Sequence, residues 1–171
     1  MATKKHSASG EAARPRRYWL FKSEPESYSW DQLVADGRTF WSGVRNYQAR
    51  NLLRDEIRLG DGVLFYHSNA KPMAVVGVAR VVRDGYPDPT QFEPKSDYHD
   101  PDSDPGDPRW FVVDIAPVAA TRAPVTREQL KDEAALGDMM LLQRGSRLSV
   151  QPVTAVEWRR VLQLGGVKES W

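Results

Sequence analysis

Short apolar runs of strand length recur along this chain and limit the folds open to it. Residues 18–22 (YWLFK) alternate between two faces, with Tyr18 and Leu20 on one and Trp19 and Phe21 on the other, and the Ser-Glu-Pro that follows is typical of a strand end. A second run, MAVVGVARVV, is apolar on both faces, as in a strand that is covered on both sides. The runs that we interpret as strands are residues 18–22, 63–67, 73–82, 110–115 and 148–151, the last stopped by Pro152.

Short helices are predicted between these strands from their capping residues. A Ser or Thr followed three residues later by Gln or Glu is a capping box, in which both side chains satisfy free backbone N–H groups. The boxes are Ser29 with Gln32, Thr126 with Gln129 and Thr154 with Glu157. We expect Leu33 and Val34 to face inward in the first helix, which Gly37 ends, and Ala155, Trp158, Val161 and Leu162 to face inward in the last, which Gly165 and Gly166 end.

One more helix is predicted to begin near Asn46. On a helical wheel the residues Ala49, Leu52, Leu53 and Ile57 share one stripe, while Tyr47, Arg50 and Arg54 cluster at its edge. Four short helices among strands of mixed spacing predict an α+β domain, with a small curved sheet closed toward a barrel.

Length and composition exclude several classes of protein. A chain of 171 residues with 40% apolar content fits one domain with a single core. It has no cysteine, which excludes disulfides and thiolate metal sites and suits a reducing compartment. It has no apolar run of membrane-spanning length and no signal-like N-terminus, so we expect a soluble protein without a membrane partner, cytoplasmic or, in a eukaryote, nuclear.

Charge is unevenly distributed along the chain. Residues 1–17 carry a net charge of +4, whereas the remaining 154 residues are near −3 within a total of +1. We predict that residues 1–17 form a disordered basic leader, either a plain flexible segment or an auxiliary phosphate-binding arm. Counterion release alone therefore cannot bring the folded part to nucleic acid, and a shaped pocket would have to contribute.

No metal or nucleotide cofactor is expected. The acidic stretch DPDSDPGD, residues 100–107, has alternate carboxylates, but a calcium loop that starts at Asp100 needs glycine at its sixth position and glutamate at its twelfth, where this chain has Pro105 and Phe111. We therefore interpret it as part of a solvated surface loop. The three histidines are scattered, and no phosphate-binding glycine signature is present.

The segment WSGVRNYQAR, residues 41–50, contains the densest cluster of groups that can both stack and hydrogen-bond. One interpretation is a core tryptophan beside a polar helix start, where Ser42 or Asn46 merely caps. The other is a pocket for a nucleobase, which needs a flat ring to stack on and a few fixed polar groups for the base edge. Spacing alone does not decide between them. Lys22 and Glu24 also allow two interpretations. They could act as a base and an acid in catalysis, or they could be an exposed charged pair on the surface.

Five ordered segments resemble the EVE domain of the thymocyte nuclear protein family, within the PUA-like superfamily. They are YWLFKSEPESYSWDQL, WSGVRNYQARNLLR, GVLFYHSN, YPDPTQFEPKSDYHDP and RLSVQPVTAVEW. The resemblance covers residues 18–164, and we assign residues 18–171 to the domain. It implies a pseudobarrel of five or six mixed strands with flanking short helices. It also implies an aromatic pocket for a modified base, particularly C5-modified cytosine in DNA, similar to the pocket of the YTH readers of RNA.

The resemblance also implies which residues contact nucleic acid. Lys22, Ser23, Trp41, Ser42 and Asn46 match positions of the YTH pocket, and Tyr66, His67, Arg147 and Ser149 lie in segments shared with the EVE family. Arg45, Arg50 and Arg147 are expected to hold phosphates. The full expected set is Lys22, Ser23, Trp41, Ser42, Val44, Arg45, Asn46, Arg50, Tyr66, His67, Arg147 and Ser149.

We therefore expect recognition without chemistry, by a monomer that turns the base out of its strand. Three alternatives stay open on the sequence. The first is a module for a modified nucleotide in RNA. The second is an amidohydrolase acting on acylated cytidine through Lys22 and Glu24, as in some PUA-like relatives of the ASCH type. The third is a protein-interaction adaptor without affinity for bases.

Overall fold

The computed structural model describes residues 14–171, which form a six-stranded mixed sheet with helices packed on it. The strands are β1 (Tyr18–Ser23), β2 (Thr39–Phe40), β3 (Gly62–His67), β4 (Ala74–Pro87), β5 (Phe111–Thr126) and β6 (Val150–Val153). Their order is β2-β5-β4-β3-β1-β6, in which β1 and β3 are parallel and the other neighbours antiparallel. The predicted α+β architecture with mixed strands and short helices is confirmed.

Each face of the sheet is covered by its own hydrophobic cluster. Trp19 and Phe21 of β1 belong to the cluster that contains Trp41, hereafter the Trp41 cluster, whereas Leu20 belongs to the cluster that contains Trp158, the Trp158 cluster. Because successive side chains of a strand point to opposite faces, the two clusters lie on opposite sides of the sheet. The faces predicted for residues 18–21 are therefore confirmed.

Side-chain caps begin the four α-helices of the described part. These helices are α1 (Trp30–Asp36), α2 (Tyr47–Asn51), α3 (Arg127–Lys131) and α4 (Ala155–Gly165). The hydroxyls of Thr126 and Thr154 form complete capping boxes, as predicted, and Asn46 caps α2 by accepting from the N–H of Ala49. Single 3-10 turns span Pro89–Phe92, Ala134–Leu136 and Met140–Leu142, and α2 continues as a π-helical turn over Leu52–Glu56.

Three details predicted for the helices are wrong. Ser29 caps α1, but the Gln32 side chain donates to Asp36 instead of completing the box. Val34 is 53% exposed because the buried residues of this two-turn helix are Trp30 and Leu33, one turn apart. Ala155 is exposed as well, since the first turn of α4 buries Glu157 of its capping box.

The strands extend beyond their predicted ends. β5 has 16 residues where the sequence predicts a run at 110–115, and β4 reaches Pro87. Pro152 lies within β6 and does not stop it. A proline is tolerated there because β6 is an edge strand, where a missing N–H breaks no hydrogen bond to a further strand.

The chain before β1 packs against the domain at its described end. Arg14 donates to both carboxylate oxygens of the fully buried Asp61, and Arg17 pairs with Glu56. These arginines belong to the segment that the sequence assigns to a disordered leader, and here the buried Asp61 holds Arg14 while the exposed Glu56 holds Arg17. The remainder of that leader, residues 1–13, lies outside the described residues.

The longest helix of the described part, α4, has 11 residues, and no helix there is long and apolar enough to span a bilayer.

Candidate functional site

A cavity of about 570 Å³ opens beside the end of β1. Its walls come from residues 22–24, from residues 39–45, from Tyr98 in the long loop after β4, and from Arg147 and Ser149 before β6. The volume lies in the range of pockets that take a small molecule or a single nucleobase-sized group. The structure thus brings together residues from all five of the sequence segments that carry the family resemblance, since Ser68 also lines the cavity.

Trp41 lies between the hydrophobic core and this cavity. It is 8% exposed, and its ring contacts Phe21 with centroids 5.2 Å apart and the edge of Phe65 at 5.6 Å. Tyr28 meets it edge to face at 6.3 Å and also lines the cavity. Packed rings thus fix an indole that still forms part of a cavity wall, so packing in the core and access to a cavity are compatible at this position.

The chain turns sharply after Trp41, and Tyr98 closes over the turn. Gly43 has φ +83°, a conformation that favours glycine, and its N–H donates to the Asp88 carboxylate at 3.1 Å. A Cβ atom at Gly43 would lie 2.6 Å from the Tyr98 ring, so the ring rests directly on the glycine. Tyr98 is 43% exposed, which leaves much of its surface available at the cavity.

Arg45 is a structural residue, contrary to its predicted role as a phosphate ligand. Its guanidinium donates to Asp88, to the Thr90 hydroxyl and to the carbonyl of Tyr98, and it lies over the Trp110 ring. Asp88 is fully buried, so this ion pair ties the segment of Trp41 to the long loop. With these donors engaged, Arg45 lines the cavity but has little capacity left for a phosphate.

The long loop of residues 88–110 is held by the buried side chain of Gln91. Its amide nitrogen donates to the carbonyls of Asp88 and Trp110, and its oxygen accepts from the Ser103 hydroxyl and the N–H of Trp110. Gln91 is fully buried. A fully satisfied buried amide thus ties both ends of a loop that is longer than usual and that carries Tyr98 to the cavity.

Lys22 and Ser23 lie at the cavity but differ in what they offer. The Ser23 hydroxyl donates to the carbonyl of Tyr28 and is engaged locally. Lys22 pairs in register with Tyr66, whose side chain belongs to the Trp158 cluster, so alternation places the Lys22 side chain on the face opposite Trp41. Burial, and secondarily the charge of Arg127, lower the pKa of Lys22.

Ser42 and Arg147 are among the predicted site residues with free polar groups at the cavity. Within the described part of the chain, neither side chain makes a hydrogen bond or an ion pair, and Arg147 is exposed. Val44 is buried and supplies an apolar wall. Ser149 accepts the N–H of Lys22 through its carbonyl and lines the cavity beside Arg147.

Four residues predicted for the site do not line the cavity. Asn46 is occupied as a helix cap, and Arg50 donates to the carbonyl of Arg109 while lying over Tyr47. His67 accepts the N–H of Trp30 at 3.1 Å, and burial lowers its pKa against the opposing effect of Asp31. Tyr66 is buried in the cluster on the opposite face. Their own capping, packing and hydrogen bonding explain these placements.

Several cavity residues were missed from the sequence. Phe40 is exposed at the cavity, and Tyr28 and Tyr98 add further rings. Tyr28 and Tyr98 lie within segments quoted for the family resemblance, but their distance from Trp41 along the chain gives no sign that they meet it. Phe40 directly precedes Trp41, and an exposed aromatic side chain next to a polar turn was the available signal.

Comparisons with known proteins show the family of this chain. The model of the EVE domain family matches residues 17–164. Thymocyte nuclear protein 1 of Gallus gallus is 41% identical over 166 residues, covering 86% of this chain and 68% of the relative. The human protein of that name is 39% identical over 166 residues, covering 86% and 73%.

Solved structures share the fold closely. A protein from Leishmania major superposes with a TM-score of 0.84 at 41% identity, covering 89% of this chain and 96% of that one. The human THYN1 protein in complex with 5-methylcytosine-containing DNA superposes with a TM-score of 0.82 at 38% identity, covering 90% and 99%.

Proposed function

This chain belongs to the EVE domain family, and from that premise we propose that it is a DNA-binding reader that holds a C5-modified cytosine. The observation that carries the proposal is the cavity walled by Trp41, in a fold shared with a human protein bound to 5-methylcytosine-containing DNA. The base would be turned out of its strand, because an edge inside a stacked strand is not accessible to a cavity of this shape. Binding would leave the base chemically unchanged.

Stacking on Trp41 supplies the part of the affinity that does not depend on the modification. A base stacked on an aromatic ring contributes about 1 to 3 kcal/mol. The contacts of Trp41 with Phe21 and Phe65 hold its ring before the base arrives, so little entropy is lost on binding. The exposed rings of Phe40 and Tyr98 would enclose the other sides of the base.

Selectivity comes from the small groups around that ring. The Ser42 hydroxyl is a free donor and acceptor for the polar edge of cytosine, and Val44 offers an apolar surface to a C5 substituent. One methyl group in an apolar subsite gives about 1 to 3 kcal/mol, hence roughly 10- to 200-fold preference over plain cytosine. An oxidised substituent could gain a hydrogen bond in addition.

Phosphate contacts at the cavity mouth would come from Arg147, which is exposed and has no ion pair within residues 14–171. Arg45 and Arg50, the other arginines expected to hold phosphates, contribute by fixing the loop around the site. Residues 18–171 have a net charge near −3, and Arg14, Arg16 and Arg17 bring the described part of the chain to about zero, so it cannot rely on many such contacts. We therefore expect modest salt dependence and an affinity dominated by the base.

A titration against DNA and RNA strands tests this function. Matched single strands carrying one 5-methylcytosine, one oxidised 5-methyl derivative or one plain cytosine are added at fixed salt, and tryptophan quenching is followed. We expect the modified DNA strand to bind most tightly. Tighter binding of the RNA strands would favour the RNA-binding alternative, and no binding of any strand would favour a protein-interaction adaptor.

One observation keeps an enzymatic alternative in consideration. Lys22 and Glu24 both line the cavity, and the lowered pKa of Lys22 suits a general base. Against this, Glu24 accepts a hydrogen bond from Asn69 and is exposed. Incubation with N4-acylated cytidine, followed by mass spectrometry, separates the two functions. Turnover abolished by Lys22→Ala would establish the amidohydrolase, and an unchanged substrate mass supports the reader.

A further inference from the structure

A second cluster of polar groups lies on the face of the sheet opposite Trp41. Lys22 of β1 is paired in register with Tyr66 of β3, Tyr66 with Val75 of β4, and Val75 with Val125 of β5. Directly paired residues share a face, and Tyr66, Val75 and Val125 all belong to the Trp158 cluster. Lys22 and Tyr66 are therefore neighbours on that face, at the end of the sheet where the cavity opens.

Arg127 joins this pair from the start of α3. It follows Val125 by two residues, and its N–H donates to the carbonyl of Met73, which anchors it next to the β4 end of the same row. Its charge lies close enough to affect both neighbours. It adds to the effect of burial in lowering the pKa of Lys22, and it opposes the effect of burial on the pKa of Tyr66.

The cluster contains two cations and a tyrosine hydroxyl without a matching anion. Neither Lys22 nor Arg127 forms an ion pair with any residue in 14–171, including the acidic residues that are close to them in sequence, Glu24 and Glu128. Tyr66 is 2% exposed, yet its hydroxyl makes no hydrogen bond within the same range. Two neighbouring cations that are partly removed from water repel each other, and a bound anion removes that cost.

We propose that Lys22, Arg127 and the Tyr66 hydroxyl form a phosphate-binding subsite that takes a phosphodiester of the bound strand. Lys22 also lines the cavity, and its neighbour Ser23 faces the side of Trp41, so the subsite and the base position lie on the two sides of one strand end. A sugar is the only group between a base and its phosphate, and the cavity and the subsite share Lys22 at the end of β1. This inference rests on the proposed function for the identity of the strand.

Salt-dependent binding of Arg127→Gln tests the subsite. Arg127 lies at the first position of a helix whose Thr126 cap is unaffected, so this variant is expected to fold normally. For a single strand carrying one 5-methylcytosine, we expect about 10- to 100-fold weaker binding and a salt slope smaller by about 0.7. The ratio of affinities for modified and plain strands stays unchanged. Tyr66→Phe, which keeps the ring, is expected to weaken binding in the same direction.

Arg122→Gln is the matched control, because Arg122 is an exposed arginine of β5, the strand that leads directly into the helix of Arg127. If Arg127→Gln has the affinity and salt slope of Arg122→Gln, the subsite is overturned. If wild type binds modified and plain strands equally, the proposed function fails. The salt slope of strand binding by Arg127→Gln still decides in that case whether the subsite exists.

A strand with neutral methylphosphonate linkages beside the modified base identifies the source of the phosphate. Wild type and Arg127→Gln should bind this strand equally well. Inorganic phosphate could instead raise the melting temperature of wild type but not of Arg127→Gln, while both proteins bind the strand with the same salt slope. In that case the site binds free phosphate, and its assignment to the strand is wrong.

Discussion

At the scale of single residues, Trp41 combines a packing role with a place in the cavity wall. Its ring contacts Phe21 and Phe65 in the core while part of it lines the cavity. Any substitution that removes the stacking surface therefore also removes core volume, and a loss of binding needs a control for stability.

Trp30 provides that control for Trp41. It belongs to the same cluster and contacts the same Phe65 ring but does not line the cavity. We expect Trp41→Leu and Trp30→Leu to lower the melting temperature comparably, whereas only Trp41→Leu weakens binding, by about 5- to 150-fold on modified and plain strands alike. Equal affinities of the two variants, measured by titration below their melting temperatures, would count against the stacking role.

Gly43 allows a similar paired test. Alanine at Gly43 is strained by φ +83° and would contact the Tyr98 ring, whereas alanine at Gly60 is strained by φ +93° with nothing within 4 Å. Both variants should lose about 1 to 2 kcal/mol of unfolding free energy from strain. We expect Gly43→Ala alone to lose more than this and to bind modified DNA more weakly, because Tyr98 moves. Identical stability and binding of the two variants would contradict the contact.

The sequence predicted these residues unevenly, for physical reasons. One short segment contains Trp41, Ser42 and Val44, so a prediction that places one of them at the cavity places the others there too. Arg45 was predicted to hold phosphate, but its partners Asp88 and Thr90 lie more than forty residues further along the chain, and no local pattern reveals them. Lys22 lines the cavity, while strand alternation places its side chain on the face opposite Trp41.

At the scale of elements, the long loop of residues 88–110 positions Tyr98 and Asp88 through Gln91. We expect Gln91→Leu to lower the unfolding free energy by about 2 to 4 kcal/mol, because four buried partners lose their hydrogen bonds. Hydrogen exchange should increase within the loop first. The control is Gln143→Leu, an exposed glutamine that also donates to two carbonyls, for which about 0.5 kcal/mol or less is expected. Similar losses in both variants would argue against the loop network.

Helices were easier to predict than strand lengths. Helix starts depend on local capping, and Asn46, Thr126 and Thr154 cap as their neighbours in sequence indicate. β5 was predicted too short because Pro117, Thr121 and Arg122 interrupt its apolar pattern, while the register shifts against β4 absorb these irregular positions. Such shifts depend on the partner strand and leave no mark in a single sequence.

At the scale of the whole molecule, Asp61 joins the start of β1 to the turn before β3. It accepts hydrogen bonds from the Trp19 indole, from the N–H groups of Arg17 and Arg58, and from the Arg14 guanidinium. Burial alone would raise the pKa of Asp61, but these donors outweigh it and lower the pKa below its usual value.

A lowered pKa makes stability depend on pH in a defined direction. In the unfolded state the Asp61 carboxyl has a pKa near 3.9 and binds a proton just below that pH, whereas in the folded state it is still ionised there. The contribution of Asp61 is thus complete above that pH and is lost as the pH falls through the lower pKa of the folded state. We expect Asp61→Asn to cost about 2 to 4 kcal/mol at pH 7 and to flatten the decline in stability below about pH 4.

Urea unfolding of wild type and Asp61→Asn across pH 2 to 7 checks this prediction, with a slope of unfolding free energy against urea of about 1 to 3 kcal/mol/M. The exposed Asp97→Asn is the control. Asp97→Asn should follow the wild-type curve. An Asp61→Asn curve that runs parallel to wild type at acid pH would show that Asp61 is not the linked group.

The family resemblance predicted from five ordered segments is confirmed by a family match over residues 17–164. The strand and capping patterns already predicted the α+β fold, and the resemblance added the expectation of an aromatic pocket and the residues that would line it. What it left open is which side chains still have free polar groups, and those depend on contacts between distant segments.

The most direct test of the central claim compares three DNA strands that differ at one position, carrying 5-methylcytosine, cytosine or an abasic sugar. If the base occupies the cavity beside Trp41, affinity falls in that order, with roughly 10- to 200-fold between the first two. Trp41→Leu then weakens the first two strands and leaves the abasic strand unchanged. Equal affinity of wild type for all three strands would contradict the account. So would a Trp41→Leu variant that binds the three strands with the same order and strength of affinity as wild type.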